Sequence, residues 1–522
     1  MQIPFEVLKI IKKLNQADFQ AYIVGGCVRD LIISEIEGLK RKPKDWDITT
    51  NALPKQIQKL FPDSVYKNEF GTVAVKTNSE DNNLKIIEVT TFRKEGKYSD
   101  KRHPDKIEFA KTIEEDLSRR DFTVNAMAIK IKSQKSKVKK NTQYKIPACF
   151  ASQSEAGRHN TEYTLIDPFD GQKDLQKNLI RTVENPKKRF SEDGLRLMRA
   201  IRFACELNFQ IEPQTLKAIK DNASLLTFIS KERIRDELIK IINSPQAVKG
   251  IFLLQENDLL KQIIPELEKG IGVTQNKHHI YTVWEHSWRS LKYACEKRYS
   301  FEVKLASLFH DIGKPYTKEG EGINATFYNH EWQGAKITAR ILSRLKFPKD
   351  KAEKIIKLVR YHGFVYDPEI TTDAAIRRLL VKVEKKNIQE LAQVREADRI
   401  GSGCPKALPF RLRHFLFRVE KVLQELGGQQ PSLKILKING NDIIKILKIK
   451  PGPKIGAILS ILLEQVLDDS KKNNKKYLEK EAKKLNRLSQ NELKKKEKIA
   501  QKKYKNLLEE NEKEIKKKYY VN

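Results

Sequence analysis

Two carboxylates stand one residue apart in "KDWDITTN": Asp45 and Asp47, with Trp46 between them. Residues i and i+2 share a face of an extended strand, so both acids would project together while Trp46 and Ile48 pack behind. Two adjacent like charges are costly unless a cation bridges them. Mg²⁺ accepts one or two carboxylates together with substrate phosphates. Such a pair is therefore a platform for phosphoryl transfer, although DxD alone also suits a solvated loop. "VGGCVRD", just upstream, adds weight to the first reading. Gly25 and Gly26 permit close backbone approach, the amides of a following helix start suit phosphate, and Arg29 adds a forked donor. Read plainly, the glycines make a tight turn. Glu88 in "IIEVTTFR", an acid within an otherwise apolar strand, is the candidate third carboxylate; the alternative is an edge glutamate facing water.

A second set of chemical residues lies further on. Six of the nine histidines fall between His278 and His362. "VWEHSW", "LFHDIGKP", "FYNHEWQGA", "VRYHGF" and "READRIG" supply His286, His310, Asp311, His330, His362 and Asp398. Mixed imidazole and carboxylate ligands suit first-row metals better than Ca²⁺. One such histidine is ordinarily structural; a spaced set is a metal pattern.

The elements that must carry these residues can be read from their patterns. "QAYIVGG", "GTVAVKT" and "LKIIEVTTF" read as strands, and "DFTVNAMAIKIK" as a candidate for another. The opening "MQIPFEVLKIIKKLNQADF" reads as an amphipathic helix with Phe5, Leu8, Ile11 and Leu14 on one face. Residues 131–163 are polar, basic and aperiodic, an exposed loop. From about 186 the chain reads as helical nearly to its end. "SEDGLRLMRAIRFACEL" takes Ser191 as N-cap, and "SKERIRDELIKIINS" also starts at a serine.

With 522 residues, about three to four domains are expected. The net charge of +34 points to a polyanionic partner, nucleic acid first. No apolar stretch is long enough to span a bilayer, and the start has no signal-peptide core, so no membrane role is expected. The five cysteines (Cys27, Cys149, Cys205, Cys295, Cys404) form no CxxC pair. They fit a reducing cytoplasm rather than a disulfide framework. Residues 471–522 carry 19 Lys and Arg against 8 Glu, so most of the basic excess lies elsewhere. That tail is a solvated charged segment or a phosphate-binding arm.

The order of "VGGCVRDLI", "KDWDITTNALP", "EVTTFR", "RRDFTVNAMA", "DPFDGQKDL" and "EDGLRLMRAIRFA" resembles bacterial tRNA nucleotidyltransferases (CCA-adding enzymes) and their poly(A) polymerase relatives, from about residue 20 to about 465. The resemblance implies an α+β fold, with a mixed-sheet nucleotidyltransferase head followed by an all-α neck and body. The expected division is 1–180 head, 181–265 neck, 266–400 HD-type domain, 401–470 body and 471–522 tail. It implies that Asp45 and Asp47 hold two Mg²⁺ ions, with Glu88 as the third catalytic carboxylate. A tRNA 3′-hydroxyl would then attack the α-phosphorus of CTP or ATP with loss of pyrophosphate. Arg119 and Arg120 would contact phosphate, and Asp121 and Asn125 the ribose. Asp193 and Arg196, at i and i+3, would share a helix face and read the base edge. Arg199 and Arg202 complete the implied nucleotide-binding set.

The segment "TFRKEGKYSDKRHPDKIEF" resembles the loop that CC-adding relatives lack. The histidine set resembles an HD phosphohydrolase. His286, His310, Asp311 and Asp398 would be its core ligands, His330 and His362 completing a two-metal site for a transition metal or Mg²⁺. CCA addition is the leading expectation. A poly(A) or A-adding enzyme is the close rival, and an HD phosphohydrolase using the head to bind RNA is the third. The sequence leaves the oligomeric state open.

Overall fold

The computed structural model describes residues 3–38, 43, 45–67, 71–95, 107–132, 162–276, 280–403, 410–425, 436–489 and 492–493. Most of the 131–163 segment, the middle of the 91–109 loop, Cys149, Cys404 and the end of the basic tail lie outside them. The chain forms two compact units, Met1–Lys269 with Ile341–Phe347, and Gly270–Arg340 with Pro348–Asn522.

The first unit is built on a seven-stranded mixed sheet. Its strands are β1 (Ala21–Val24), β2 (Asp47–Thr50), β3 (Ser64–Tyr66), β4 (Thr72–Lys76), β5 (Ile86–Thr91), β8 (Ala128–Ile131) and β9 (Tyr163–Ile166). β6 (Arg93–Glu95) and β7 (Ile107–Phe109) form a separate hairpin. The sheet order is β3-β4-β5-β2-β1-β8-β9. β1 is apolar at all four positions and buried throughout, as suits a central strand. It pairs antiparallel with β2 and β8, whereas β2 and β5 run parallel.

Helices α1 (Phe5–Gln16), α2 (Gly26–Glu37), α3 (Pro54–Leu60), α4 (Ile113–Ser118) and α5 (Gly171–Gln176) accompany the sheet. The buried face of α1 is Val7, Ile10, Ile11 and Leu14, and Phe5 is 74% exposed. The helix is thus rotated from the expected stripe, because a run of apolar residues supports more than one 3.6-period face.

The rest of this unit is helical: α6 (Pro186–Glu192), α7 (Leu195–Leu207), α8 (Pro213–Asp221), α9 (Lys231–Asn243), α10 (Ala247–Glu256), α11 (Leu259–Ile263) and α12 (Pro265–Glu268). Two-residue strands Leu179–Ile180 and Gln210–Ile211 pair in parallel within it. Ser191 is not a cap. It lies inside α6, whose N-cap is Asn185, with Pro186 in the first turn. The Ser191 hydroxyl instead donates back to the Lys188 carbonyl. Ser230 does occupy the N-cap position of α9, without a side-chain cap bond.

The second unit contains α13 (Val283–Glu296), α14 (Phe301–Phe309), most of α15 (His330–Arg344), α16 (Lys349–Tyr361), α17 (Asp373–Val383), α18 (Ile388–Gly401), α19 (Phe410–Glu425), α20 (Gly440–Leu447), α21 (Pro453–Asp468) and α22 (Lys475–Asn486). Ile443, Ile458, Leu462, Val466 and Leu478 form the core of its last part. The Arg377 guanidinium donates to the Leu467 and Asp468 carbonyls, closing orphan acceptors at the end of α21.

Candidate active site and metal centre

The parallel register of β2 and β5 sets Asp47 directly beside Glu88, which places two carboxylates on neighbouring strands. The strand begins at Asp47, so Asp45 lies just before it, exposed, while Trp46 and Ile48 are buried behind. Burial pushes the Asp47 carboxyl up, Arg120 opposes this, and Glu88 and Asp45 push it up again. The three acids thus form one mutually repelling cluster. Lys67 pairs with Glu88. Gly25, at φ 82°, stands at the N-cap of α2. A Cβ there would lie 2.9 Å from Arg120 Nη1 and 3.6 Å from Asp47 Oδ2, so the turn approaches closer than other residues allow. Arg120 Nε is buried without a hydrogen-bond partner among the described residues.

Basic groups line the neighbouring surface. Asp116, wholly buried, accepts from Arg119 Nε at 3.0 Å and pairs with Arg120 Nη2 at 3.7 Å. Arg29 Nη1 donates to Asn125 Oδ1 at 2.8 Å, and its head also pairs with Asp30. Arg199 donates to Asp121 Oδ2 at 2.7 Å, while the Phe122 amide donates to Asp121 Oδ1 at 2.9 Å. Burial alone would raise the Asp121 carboxyl; Arg199 and then Arg196 outweigh it and hold it at about 2.

Asp193 and Arg196 do not form an intrahelical pair. Asp193 has extended backbone between α6 and α7, because Gly194, not a serine, begins the second helix. Its carboxylate accepts from Arg233 Nη2 at 2.8 Å and from the Leu195 amide at 3.0 Å. Arg196 Nη1 donates to Glu192 at 2.5 Å and to the Arg189 carbonyl at 3.0 Å. Arg202 pairs with Glu237 at 2.9 Å, both buried.

In the second unit the metal-type residues converge from α13, the end of α14, α15, α16 and α18. His286, His310 and Asp311 form one group, His310, His362 and Asp398 a second, and Asp311, His330 and His362 a third. Each group keeps its ligand atoms within 4.8 Å. His286 Nε2 lies 3.1 Å from Asp398 and 3.3 Å from Asp311. His330 and His362 Nε2 lie 3.5 and 3.6 Å from the other Asp311 oxygen. The Nδ1 atoms of His310, His330 and His362 face the Ser307, Phe327 and Val359 carbonyls at 2.7–2.8 Å. Those carbonyls take an Nδ1 proton, leaving Nε2 as the ligand atom, which is the outer-shell arrangement a metal site requires. Burial would raise Asp311, but His310 and Lys314 hold it well below the carboxylate range. Buried, ionised carboxylates beside imidazole nitrogens suit a divalent cation. A cavity of about 320 Å³ opens beside this set, lined also by Lys314, Arg395 and Arg399.

Three family models match in sequence: the poly A polymerase head domain over residues 21–141, the probable RNA and SrmB-binding site of polymerase A over 208–271, and the HD domain over 283–402. The A-adding tRNA nucleotidyltransferase of Deinococcus radiodurans is 32% identical over 361 residues, covering 67% of this chain and 75% of that protein. The chain belongs to the tRNA nucleotidyltransferase family.

A second relative in this family, the CCA-adding enzyme of Geobacillus stearothermophilus, is 40% identical over 261 residues. That match covers 50% of this chain and 54% of the relative, so the chain spans about half the length of this CCA-adding enzyme. The crystal structure of Bacillus stearothermophilus CCA-adding enzyme in complex with CTP superposes with a TM-score of 0.63 at 27% identity, over 93% of this chain and 98% of that one. The mixed-sheet head, helical continuation and HD domain expected from the sequence are those of this nucleotidyltransferase family.

Several residues around these nucleotidyltransferase-type motifs escaped sequence reasoning. Asp116 stands three and four positions before Arg119 and Arg120, a helical spacing that could have been read. Lys67 and Arg233 are 21 and 40 positions from their partners, and no local pattern announces them. Lys314 follows Asp311 by three, and its ammonium lies 2.6 Å from that carboxylate and 2.6 Å from Gln275 Oε1.

Proposed function

We propose that this chain adds nucleotides to tRNA 3′ ends without a template, completing CCA from CTP and ATP. The observation that carries the chemistry is the β2–β5 register, which sets Asp47 beside Glu88 under the Gly25 turn. The substrates are suggested by the relatives, CCA-adding and A-adding enzymes. The terminal 3′-hydroxyl oxygen bonds to the α-phosphorus, the bond from that phosphorus to the bridging β-oxygen breaks, and pyrophosphate leaves with its electron pair. Mg²⁺ bound by Asp45, Asp47 and Glu88 would ease ionisation of the hydroxyl and neutralise the leaving charge. Arg120, Arg119 and Arg29 offer donors to the triphosphate, and the open Gly25 turn lets its oxygens approach the backbone. Asp121 and Asn125 read the ribose. Asp193 offers only acceptors and Arg196 only donors. Cytosine and adenine both present an amino group beside a ring nitrogen. Guanine and uracil have the opposite polarity and could not take the place of Arg233 on Asp193 or of Glu192 on Arg196.

The test uses full-length protein, Mg²⁺ and tRNA ending at the discriminator base, with CTP and ATP given singly and together. Extension stopping at CCA is expected. The greater span of the match to the A-adding enzyme favours one second reading, and addition of a single A only to tRNA already ending in CC would establish it instead. A long A tract with ATP alone would make the chain a poly(A) polymerase.

The HD unit supports an accessory hydrolysis of phosphoesters at RNA ends. A divalent metal held by its histidines and aspartates would supply a hydroxide nucleophile. Lys314, Arg395 and Arg399 give the adjoining cavity the charge an anionic phosphoester needs.

A further inference from the structure

Phe203, on α7, is 6% exposed and sits beneath three guanidinium groups. The Arg29, Arg199 and Arg202 carbons lie 5.5, 5.4 and 4.2 Å from its ring centre. All three fall within the range at which a ring face attracts a cation. Arg199 is four positions before Phe203 on the same helix and so lies over its ring. Arg29 comes from α2, a different part of the chain. Each arginine has its own carboxylate: Arg29 has Asp30, Arg199 has Asp121 and Arg202 has Glu237. Three ion pairs therefore meet around one aromatic ring, which offsets the repulsion among their cations.

Two of these arginines hold the residues assigned to the ribose. Arg29 Nη1 donates to Asn125, and Arg199 Nε donates to Asp121. The Phe203 ring also meets Phe122, the neighbour of Asp121, edge to face at 5.7 Å and 78°. Asp121 and Asn125 are thus both set, through different arginines, by the same ring. We propose that Phe203 is the positioning residue for sugar selection, the shared platform that fixes Asp121 and Asn125 at the spacing a ribose 2′-hydroxyl requires. The inference rests on the ribose reading of those two residues. Phe203 is buried and acts through Arg29 and Arg199.

A ring-free side chain of similar size keeps the apolar filling and removes the attractive face. Each cation–ring contact is worth about 0.5–2 kcal/mol, or about twofold to thirtyfold in a rate ratio. The experiment measures kcat/KM for ATP and for 2′-deoxy-ATP on tRNA ending in CC, using full-length Phe203→Leu and Phe203→Met, with Phe203→Tyr as the variant that keeps the ring. Melting curves identify folded variants, and the methionine variant serves if the leucine one does not fold. The expected result is a fall of about threefold to tenfold in the ATP to 2′-deoxy-ATP preference in the ring-free variants. The tyrosine variant should stay within about twofold of the parent on the same scale. Equal slowing on both nucleotides, with the preference intact, would assign Phe203 to packing alone and overturn the proposal. Asp121→Asn run in parallel separates the two failures. If that change also leaves sugar preference intact, the ribose reading itself is wrong; if it alone alters preference, only the role of Phe203 falls.

Discussion

Asp47 is where burial and repulsion meet in the head. Its carboxyl is pushed up by burial and by Glu88 and Asp45, which is the electrostatic state a bound cation relieves. Asp47→Ala should therefore reduce nucleotide incorporation by about a thousandfold, the scale of losing one main electrostatic stabiliser, with an unchanged melting curve. Surviving incorporation would end the metal assignment. Asp121 shows the opposite balance. Its carboxyl is held at about 2 against an ordinary 3.8, so its contribution to stability is full above pH 4 and is lost as pH falls towards 2. That shift corresponds to about 2 kcal/mol, reduced by solvent because the Arg199 side chain is 32% exposed. Asp121→Asn should lower the melting temperature of the full chain at pH 7 by a few degrees, on the order expected for 1–2 kcal/mol. The gap to the parent should narrow between pH 4 and pH 3; a constant gap would mean that Asp121 titrates alike in the folded and the unfolded chain. Asp47, Glu88 and Asp121 were legible because motif and strand period carry them. Lys67 and Arg233 were not, since only tertiary folding brings residues 21 or 40 positions apart into contact.

At the scale of elements, two glycines hold the sites together. Gly25 at φ 82° joins β1 to α2, and Gly313 follows the His310-Asp311 pair. A Cβ on Gly313 would lie 2.1 Å from the His330 carbonyl oxygen and 2.6 Å from the Gly334 amide, both rigid backbone. Gly313→Ala must therefore push α15, which bears His330, away from the metal-type cluster. The change should weaken divalent-metal binding by at least about tenfold, the range seen when metal-supporting residues are disturbed. Calorimetric titration with Mn²⁺ or Ni²⁺ checks it; unaltered affinity would show that α15 can shift without moving the ligands. The strands and helices that carry both sites were readable from apolar alternation and helical spacing. Their ends were less so. α1 buries Val7 and Ile10 in place of Phe5 and Leu8, and Asn185 rather than Ser191 starts α6. In both cases the local pattern permitted neighbouring solutions, and packing against the rest of the unit chose between them.

For the whole molecule, the two acid-rich centres belong to separate compact units, so their responses to metal and mutation can be separated. A cation that binds only the folded HD unit stabilises it by about 2.7 kcal/mol at a hundredfold excess over its dissociation constant. Ni²⁺, Mn²⁺ or Mg²⁺ added to metal-stripped protein should raise the melting transition of that unit by several degrees. Asp311→Asn should abolish the rise, because Asp311 faces His286, His310, His330 and His362. CCA incorporation by Asp311→Asn should remain within about twofold of the parent, since the carboxylates assigned to that reaction, Asp45, Asp47 and Glu88, belong to the other unit. Asp47→Ala should show the reverse pattern, losing incorporation and keeping the metal-dependent thermal shift. If either single change removes both responses, the centres act as one coupled site, and the reading of two independent chemistries on one chain fails.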